Sequence, residues 1–328
     1  MNPVEPPEQG TLWISGEEPE APAAERAAES RPIAPPRPAT VHAPTPPAPF
    51  PGPDAVAQNT GMNASEAVMP SVEAATRAIY FEQPLNERMR NFLRLDFLYQ
   101  QAVHHHTNAD PWSTRAAVAA LLEILTITQR GDVRGEILKE LERQMAQLAA
   151  FNSRPGVDTA RLRVLLTKLH RMREELSNVG ALFMQKLRDS EFLNAIKHRS
   201  TIPGGTCEFD LPAYYAWQQH DGARRRADLA QWASSLMPLA EALQVLLGLL
   251  RDSGVPHKVA ASGGQYQQSL PAGRSFLLLR LHIDPADQLV PEISGHRLMV
   301  LIRLMRQDAE GRLKPSGSDA AFELTLCA

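Results

Sequence analysis

The chain has 328 residues, 43% of them hydrophobic, and a net charge of −3, so it is long enough to bury a sizeable core. Cys207 and Cys327 are the two cysteines, which excludes a disulfide framework and favours a reducing cytosol. The start lacks a basic and apolar signal peptide, and no run of about 18 apolar residues occurs, so we expect a soluble, unexported protein.

Residues 1–77 are predicted to form a disordered tail rich in Pro, Ala and Glu, because their apolar content is too low to offset the entropy of ordering. Residues 1–75 carry a charge of −7, which leaves +4 for the rest of the chain. The prolines between Pro32 and Pro53 favour a semi-rigid, extended spacer. Thr11-Leu12-Trp13-Ile14 is the one apolar island of the tail. It is either a short docking motif or the chance hydrophobicity of a linker.

Residues 78–190 are predicted to form an antiparallel helical bundle, which a helix at 228–253 completes. Apolar residues recur there at three- and four-residue spacing, which predicts a core-facing side of the first helix formed by Leu85, Met89, Phe92, Leu93 and Phe97. Pro84 suits the first turn of the first helix. Three aspartates stand where helix N-caps are expected: Asp110, Asp132 and Asp158. A further helix is expected from about 181 to 198.

Residues 191–227 and 254–328 are predicted to form a β-rich domain. The alternation of Cys207-Glu208-Phe209-Asp210-Leu211 is typical of a strand. Three β-prone runs predict an antiparallel sheet of about four or more strands: 276–283, 299–305 and 322–326. Helices followed by strands, without βαβ alternation, indicate an α+β fold, in which the helical bundle joins a C-terminal antiparallel β-rich domain.

The motifs of common enzymes and metal sites are missing, so we expect no catalytic residue, cofactor or metal. His104-His105-His106 cannot converge on one ion, since consecutive helical residues point about 100° apart. Gly263-Gly264-Gln265 is interpreted as a hairpin loop whose glycines take positive φ.

Basic residues form two candidate pairs for binding a partner. Arg90 and Arg94 are four residues apart and share a face of the first helix. Arg130 and Arg134 flank a helix junction at Gly131-Asp132. Each pair is either a charged surface or part of a binding site for an acidic peptide. Arg224-Arg225-Arg226 is interpreted as a solvated, cationic loop.

Several segments resemble the ZapD family of bacterial cell division proteins. They agree in order and spacing across residues 79–328, whereas the tail has no counterpart. The segments begin with FEQPLNERMR (81–90) and continue with RGDVR (130–134), PGVD (155–158), IPGG (202–205), FDLP (209–212) and ISGH (293–296).

The resemblance implies a non-enzymatic factor of the cytoplasm that acts at the mid-cell division site. It implies a homodimer formed through helices, whose basic surface binds the C-terminal tail of FtsZ and cross-links FtsZ filaments of the Z-ring. Neither nucleic acid nor membrane is expected as a partner. The tail of this chain is interpreted as a solvated brush that spaces the filaments.

The resemblance also implies which residues meet the FtsZ tail. The matching basic positions are Arg90, Arg94, Arg130 and Arg303, with His296 and Arg297 nearby, and Arg134 joins them as the pair of Arg130. Arginine suits this role because its planar fork pairs with carboxylates. The chain departs from the expected basic or imidazole character at Glu191, Tyr215 and Met299, which predicts a smaller or differently centred patch.

Two other functions remain open on the sequence. One is a hydrolase or transferase with its site in the cleft between the helical and β parts, built from His296 with Cys207 or Asp210. The other is single-stranded nucleic-acid binding, which requires Tyr214, Tyr215 and Tyr266 to lie together beside arginines on one strand face.

Overall fold

The computed structural model describes residues 79–152, 154–178, 184–271, 273–296 and 298–328. The tail predicted for residues 1–77, with its Pro-rich spacer and apolar island, lies outside the described residues. The same is true of Arg297.

The described chain starts with a strand, β1 (Ile79–Pro84), and continues with helices. These helices are α1 (Glu87–His106), α2 (Pro111–Arg130), α3 (Val133–Ala149), α4 (Thr159–Asn178), α5 (Gln185–Arg188), α6 (Glu191–Arg199), α7 (Pro212–Gln218), α8 (Gly222–Ser234) and α9 (Met237–Asp252). Strands follow: β2 (His257–Ala261), β3 (Gln265–Ser269), β4 (Leu278–Ile283), β5 (Leu289–His296), β6 (Met299–Gln307), β7 (Leu313–Pro315) and β8 (Ala320–Cys327). The predicted α+β fold is confirmed.

Side-chain caps set where the long helices begin, and the three predicted caps are confirmed. Asp110 Oδ1 accepts the Ser113 N–H at 2.9 Å, and Asp132 Oδ1 accepts the Gly135 N–H at 2.9 Å. Asp158 Oδ1 accepts two backbone N–H groups of the first turn of α4 at 3.0 Å each. Each aspartate satisfies donors that have no partner within the helix.

The predicted start of the first helix is wrong. Pro84 is the last residue of β1, and α1 begins at Glu87 with Asn86 as its cap. The strand pairs antiparallel with β4, so that Phe81 lies opposite Leu281. That partner lies 200 residues away along the sequence, and local periodicity does not reveal it.

The prediction for 181–227 also needs correction. The helix expected at 181–198 is divided within the described residues, since Asp189 and Ser190 separate α5 from α6. The strand expected at 207–211 is wrong, because these residues form turns that lead into α7. Described residues of 191–227 are therefore helices and turns, and the division of the chain into two domains stays a prediction.

The strands form two antiparallel sheets in the described part of the chain. One has the order β1-β4-β8-β2, and the other has the order β3-β6-β5, with β7 also paired to β6. Gly263 and Gly264 join β2 to β3 with φ of 55° and 75°, which confirms the predicted hairpin loop.

Two hydrophobic clusters hold these layers. The first fills the space between the helices and includes Leu278 and Cys327 at one end of the β1-β4-β8-β2 sheet. The second lies between the two sheets and includes Leu279, Leu281, Val300 and Ile302. Neighbouring residues of β4 and β8 thus contribute to both clusters, which packs the helices directly on the first sheet.

No single described helix is long and apolar enough to cross a membrane, and α8 and α9 pass that test only as a pair bent by 70°.

A network of ion pairs ties the first sheet to the helices. Arg251 of α9 binds Glu82 of β1 through Nε at 2.9 Å and Nη2 at 2.8 Å, and Nη2 also lies 3.0 Å from Asp96 of α1. Arg280 of β4 donates to Glu82 at 2.9 Å. Hydrogen bonds from Arg251 to Glu82 raise the pKa of the guanidinium further above its ordinary value. The network therefore holds four elements with charges that are mostly shielded from water.

Arg251→Ala should lower the free energy of unfolding by about 3 kcal/mol, because Glu82 and the buried Asp96 would lose their shared cation. Urea denaturation followed by circular dichroism measures the effect. Arg161→Ala is the matched control, since that guanidinium is 91% exposed and its loss should cost less than about 0.5 kcal/mol. Equal effects for the two variants would contradict the role of the network.

The Cys327 thiol should resist alkylation in the folded protein. Burial raises its pKa from 9.0 to about 11, so the folded state holds the proton more tightly than the unfolded chain. The stability linked to this proton is fully present below pH 9 and is lost as the pH rises through 11. Iodoacetamide at pH 9 should modify the half-buried Cys207 alone, and both cysteines in urea. Modification of native Cys327 at the rate of Cys207 would contradict this burial.

Candidate partner-binding site

A groove of about 1010 Å³ runs along one side of α2, and we call it the α2 groove. One wall is the face of α2 between Trp112 and Arg130, and the other is the segment from Ile196 to Thr206 with Tyr214. From Trp112 to Arg130 the helix rises by about 27 Å. The groove is therefore long enough for an extended peptide of about eight residues.

Two contacts fix the far wall against α2. Lys197 Nζ donates to Gln129 Oε1 at 2.8 Å near the C-terminal end of the helix. Near the other end, the Arg115 guanidinium donates to the Thr206 carbonyl and lies 3.2 Å from Thr206 Oγ1. The wall thus runs antiparallel to α2 and is attached at both ends.

Two glycines shape the turn in this wall. Gly204 has a φ of 72°, a conformation that other residues rarely adopt. A Cβ on Gly205 would lie 2.5 Å from the Arg199 carbonyl oxygen and 2.9 Å from Ile202 Cβ. The Ile202-Pro203-Gly204-Gly205 segment therefore forms part of the groove wall.

The α2 groove combines positive charge with apolar surface. Arg115, Arg130 and Lys197 line it, against a single described carboxylate, that of Glu123. Among the described residues, Arg130 is exposed and makes no ion pair or side-chain hydrogen bond. Trp112 is 75% exposed and Ile202 is 47% exposed, which is unusual for side chains of this size. Such a surface suits a peptide that has both acidic and apolar residues.

Arg115 is held in place between two aromatic rings. Its guanidinium carbon lies 5.3 Å from the centre of the Trp112 ring and 5.4 Å from that of Tyr214. Burial raises the pKa of Tyr214 to about 12, although the charge of Arg115 acts in the opposite direction. The tyrosine is therefore neutral at physiological pH.

The basic pair of α1 lies on an exposed stripe of that helix. Arg94 is exposed and unpaired among the described residues, and Arg90 forms an exposed ion pair with Glu87 at 3.2 Å. Phe97 lies on the same face and is 67% exposed, although its spacing predicted a core position. Since α1 and α2 form a hairpin through residues 107–110, this stripe starts at the end where Arg130 lies.

Arg134 is hydrogen-bonded to a neighbouring helix, α4. Its Nε donates to the Leu176 carbonyl at 2.8 Å and its Nη2 donates to that of Ser177 at 3.0 Å. These carbonyls are at the C-terminal end of α4, where a cation is favourable. The arginine therefore has a structural task, and a role in binding a partner stays a prediction.

The candidates in the β part lie on the outer face of the second sheet. Arg303 of β6 faces Glu292 of β5 across the strands, with Nη2 2.6 Å from Oε2, so its charge is largely compensated. His296 is exposed at the end of β5, where its Nδ1 accepts the Leu298 N–H at 3.3 Å. Arg297 lies outside the described residues.

The three departures from the expected basic pattern lie on three different elements. Glu191 begins α6, and Tyr215 is 47% exposed on α7. Met299 begins β6, where its sulfur lies 3.1 Å from Gln267 Nε2.

The geometry gives little support to the two other functions. Cys207 Sγ lies 3.7 Å from Asp210 Oδ2, but neither residue hydrogen-bonds to His296 in the described structure. Tyr214 and Tyr215 are on α7, whereas Tyr266 is on β3 with its ring against Phe322. Within the described ranges, no three His, Cys, Asp or Glu side chains are grouped as metal ligands.

Sequence reasoning missed several residues that matter here. Trp112, Arg115 and Lys197 line the groove, yet they belong to no motif that was recognised. The available signal was the stripe on α2 from residue 112 to 130, which lies opposite the buried face. Arg225, interpreted as part of a solvated loop, is buried on α8 and donates to the carbonyls of Gln218, His220 and Ala109.

Comparison with known proteins identifies the family to which this chain belongs. The ZapD family model, described as a cell division protein, matches residues 93–303, a range that contains the whole α2 groove. The chain belongs to the ZapD family of cell division proteins. Membership links it to septation and the Z-ring, and the family is not a known enzyme family.

Two relatives are each named Cell division protein ZapD. The protein of Ralstonia nicotianae is 41% identical over 250 residues, which cover 76% of this chain and 99% of the relative. The protein of Ralstonia pickettii is 40% identical over 250 residues, which again cover 76% of this chain and 99% of the relative. The match leaves 78 residues of this chain without a counterpart in either relative, as many as precede Ile79.

Gly205→Ala should destabilise the wall of the groove by about 1–3 kcal/mol, because the new methyl group would collide with the Arg199 carbonyl. Gly248→Ala in α9 is the control, since it has open space and should stabilise the helix by up to about 1 kcal/mol. Urea denaturation measures both. A stabilising Gly205→Ala would contradict the packing described for this turn.

Proposed function

We propose that this chain binds the C-terminal tail of FtsZ in the α2 groove and, as a homodimer, cross-links FtsZ filaments. It acts without catalysis, in the cytoplasm at the mid-cell division site. Family membership and the resemblance support the partner. The observation that carries the proposal is the α2 groove itself, in which the exposed Arg130, unpaired among the described residues, lies at one end and the exposed Trp112 at the other.

The exposed stripe of α1 extends the proposed surface. Arg94 is unpaired among the described residues and points away from the core, as does Phe97. Arg90 contributes less, because it is paired with Glu87. Arg134 and Arg303 have protein partners of their own, so we assign them a smaller share of the binding, and His296 a place at the margin of the surface.

A dimer with two such grooves needs only a weak contact at each one. Binding at one groove raises the effective concentration of a second filament tail to about millimolar when the tether is short. Individual contacts then stay reversible, which suits a ring that is remodelled. Because the contact is largely electrostatic, it should weaken with salt as the screening length falls from about 10 Å at 0.1 M to about 3 Å at 1 M.

Arg130→Glu should abolish co-sedimentation with FtsZ filaments and their bundling, since it replaces the free cation of the groove by an anion. Arg94→Glu should weaken both. The dimer should stay intact by light scattering, because neither side chain supports the core. Removal of the FtsZ C-terminal tail should have the same effect on co-sedimentation as Arg130→Glu.

Arg163→Glu is the matched control. Arg163 is exposed on α4 and makes no ion pair or side-chain hydrogen bond with another described residue, so this reversal changes the net charge equally without changing the groove. Unchanged bundling by Arg130→Glu, or an equal loss with Arg163→Glu, would refute the assignment to the α2 groove.

A further inference from the structure

The tail contains a segment whose chemistry complements the α2 groove. Residues 5–20 read EPPEQGTLWISGEEPE, with five glutamates and no basic residue. Its apolar island, Leu12-Trp13-Ile14, is followed within six residues by Glu17, Glu18 and Glu20. An acidic stretch directly after an aromatic and aliphatic cluster is the kind of peptide that the groove suits.

The groove has a matching order along its length, with apolar side chains at one end and basic side chains at the other. The exposed Trp112 and Ile202 belong to the end where Arg115 binds Thr206. Two cations, Arg130 and Lys197, belong to the other end, and neither makes an ion pair with a described residue. Trp112 and Arg130 are about 27 Å apart along the helix. An extended chain covers roughly 23 Å from Trp13 to Glu20, so apolar and charged groups match in spacing as well as in kind.

We propose that residues 12–20 bind the α2 groove of their own chain, with Leu12-Trp13-Ile14 against Trp112 and Ile202 and the glutamates toward Arg130 and Lys197. The segment then competes with an acidic partner peptide for the same surface. The competition rests on the proposed function, but the docking itself does not.

The connecting chain is long enough for this contact. Fifty-eight residues lie between Glu20 and Ile79. Even a flexible chain of that length spans roughly 40 Å on average, whereas a folded unit of 250 residues has a radius of gyration of roughly 18 Å. A tethered segment acts at an effective concentration of up to about 1 mM. If the free peptide binds with a dissociation constant of about 0.1–1 mM, docking weakens an outside ligand about two- to tenfold.

The docking is tested on the full chain with a photoreactive benzoylphenylalanine in place of Trp13. We expect intramolecular cross-links to peptides that contain residues 112–130 and 196–206, and their loss with Arg130→Glu combined with Lys197→Glu. The same photoreactive residue in place of Phe50, the other aromatic residue of the tail, is the control, because no glutamate accompanies it. Cross-links scattered over the surface, or equal yields from both positions, would overturn the docking, as would cross-links confined to a second copy of the chain.

The competition is tested with the triple alanine variant of Leu12, Trp13 and Ile14, which changes no residue that lines the groove. Its apparent affinity for FtsZ filaments should rise about two- to tenfold, whereas Phe50→Ala should leave it unchanged. If the triple variant binds like the parent chain while Arg130→Glu abolishes binding, the competition is refuted and the proposed function stands. If Arg130→Glu also has no effect, the proposed function fails, and the cross-links alone decide the docking.

Discussion

The contact of Arg251 with Glu82 and Asp96 is the interaction on which the rest of the structure depends. It brings α9, β1 and α1 to one point, and Arg280 adds β4 through the same Glu82 carboxylate. These charges are mostly shielded from water, so each needs the others. The network holds β1 and α1 against α9. That position determines which face of α1 turns to the core and which carries Arg94, and α1 in turn supports α2 and its groove.

Much of the helical part could be predicted because its signals are local. Asp110, Asp132 and Asp158 cap the helices they were expected to cap, and the glycines at 263 and 264 form the expected hairpin. The errors come from residues whose structure depends on distant partners. Pro84 was assigned to a helix because its pairing with Leu278 on β4 cannot be read locally. Phe97 has core spacing but lies exposed, since periodicity does not show which flank a neighbouring helix covers.

The candidate site was predictable only in part, for the same reason. Arg94 and Arg130 were recognised as basic pairs and through the resemblance, and both are free cations among the described residues. Nothing in the sequence distinguishes Arg134 and Arg303 from them. In the structure, however, Arg134 binds a carbonyl at the end of α4, and Arg303 pairs with a glutamate on the neighbouring strand. Trp112, Arg115 and Lys197 line one groove only when the 196–206 segment folds against α2. A groove between two elements far apart in sequence has no local signature.

The most direct measurement of the central claim is fluorine nuclear magnetic resonance of the full chain labelled with 5-fluorotryptophan. The four tryptophans give separate resonances, and Trp112→Phe assigns the one in the groove. On titration with the FtsZ C-terminal tail peptide, the Trp112 resonance should shift, while that of Trp232, which does not line the groove, should stay in place. A peptide that binds without moving the Trp112 resonance would contradict the account.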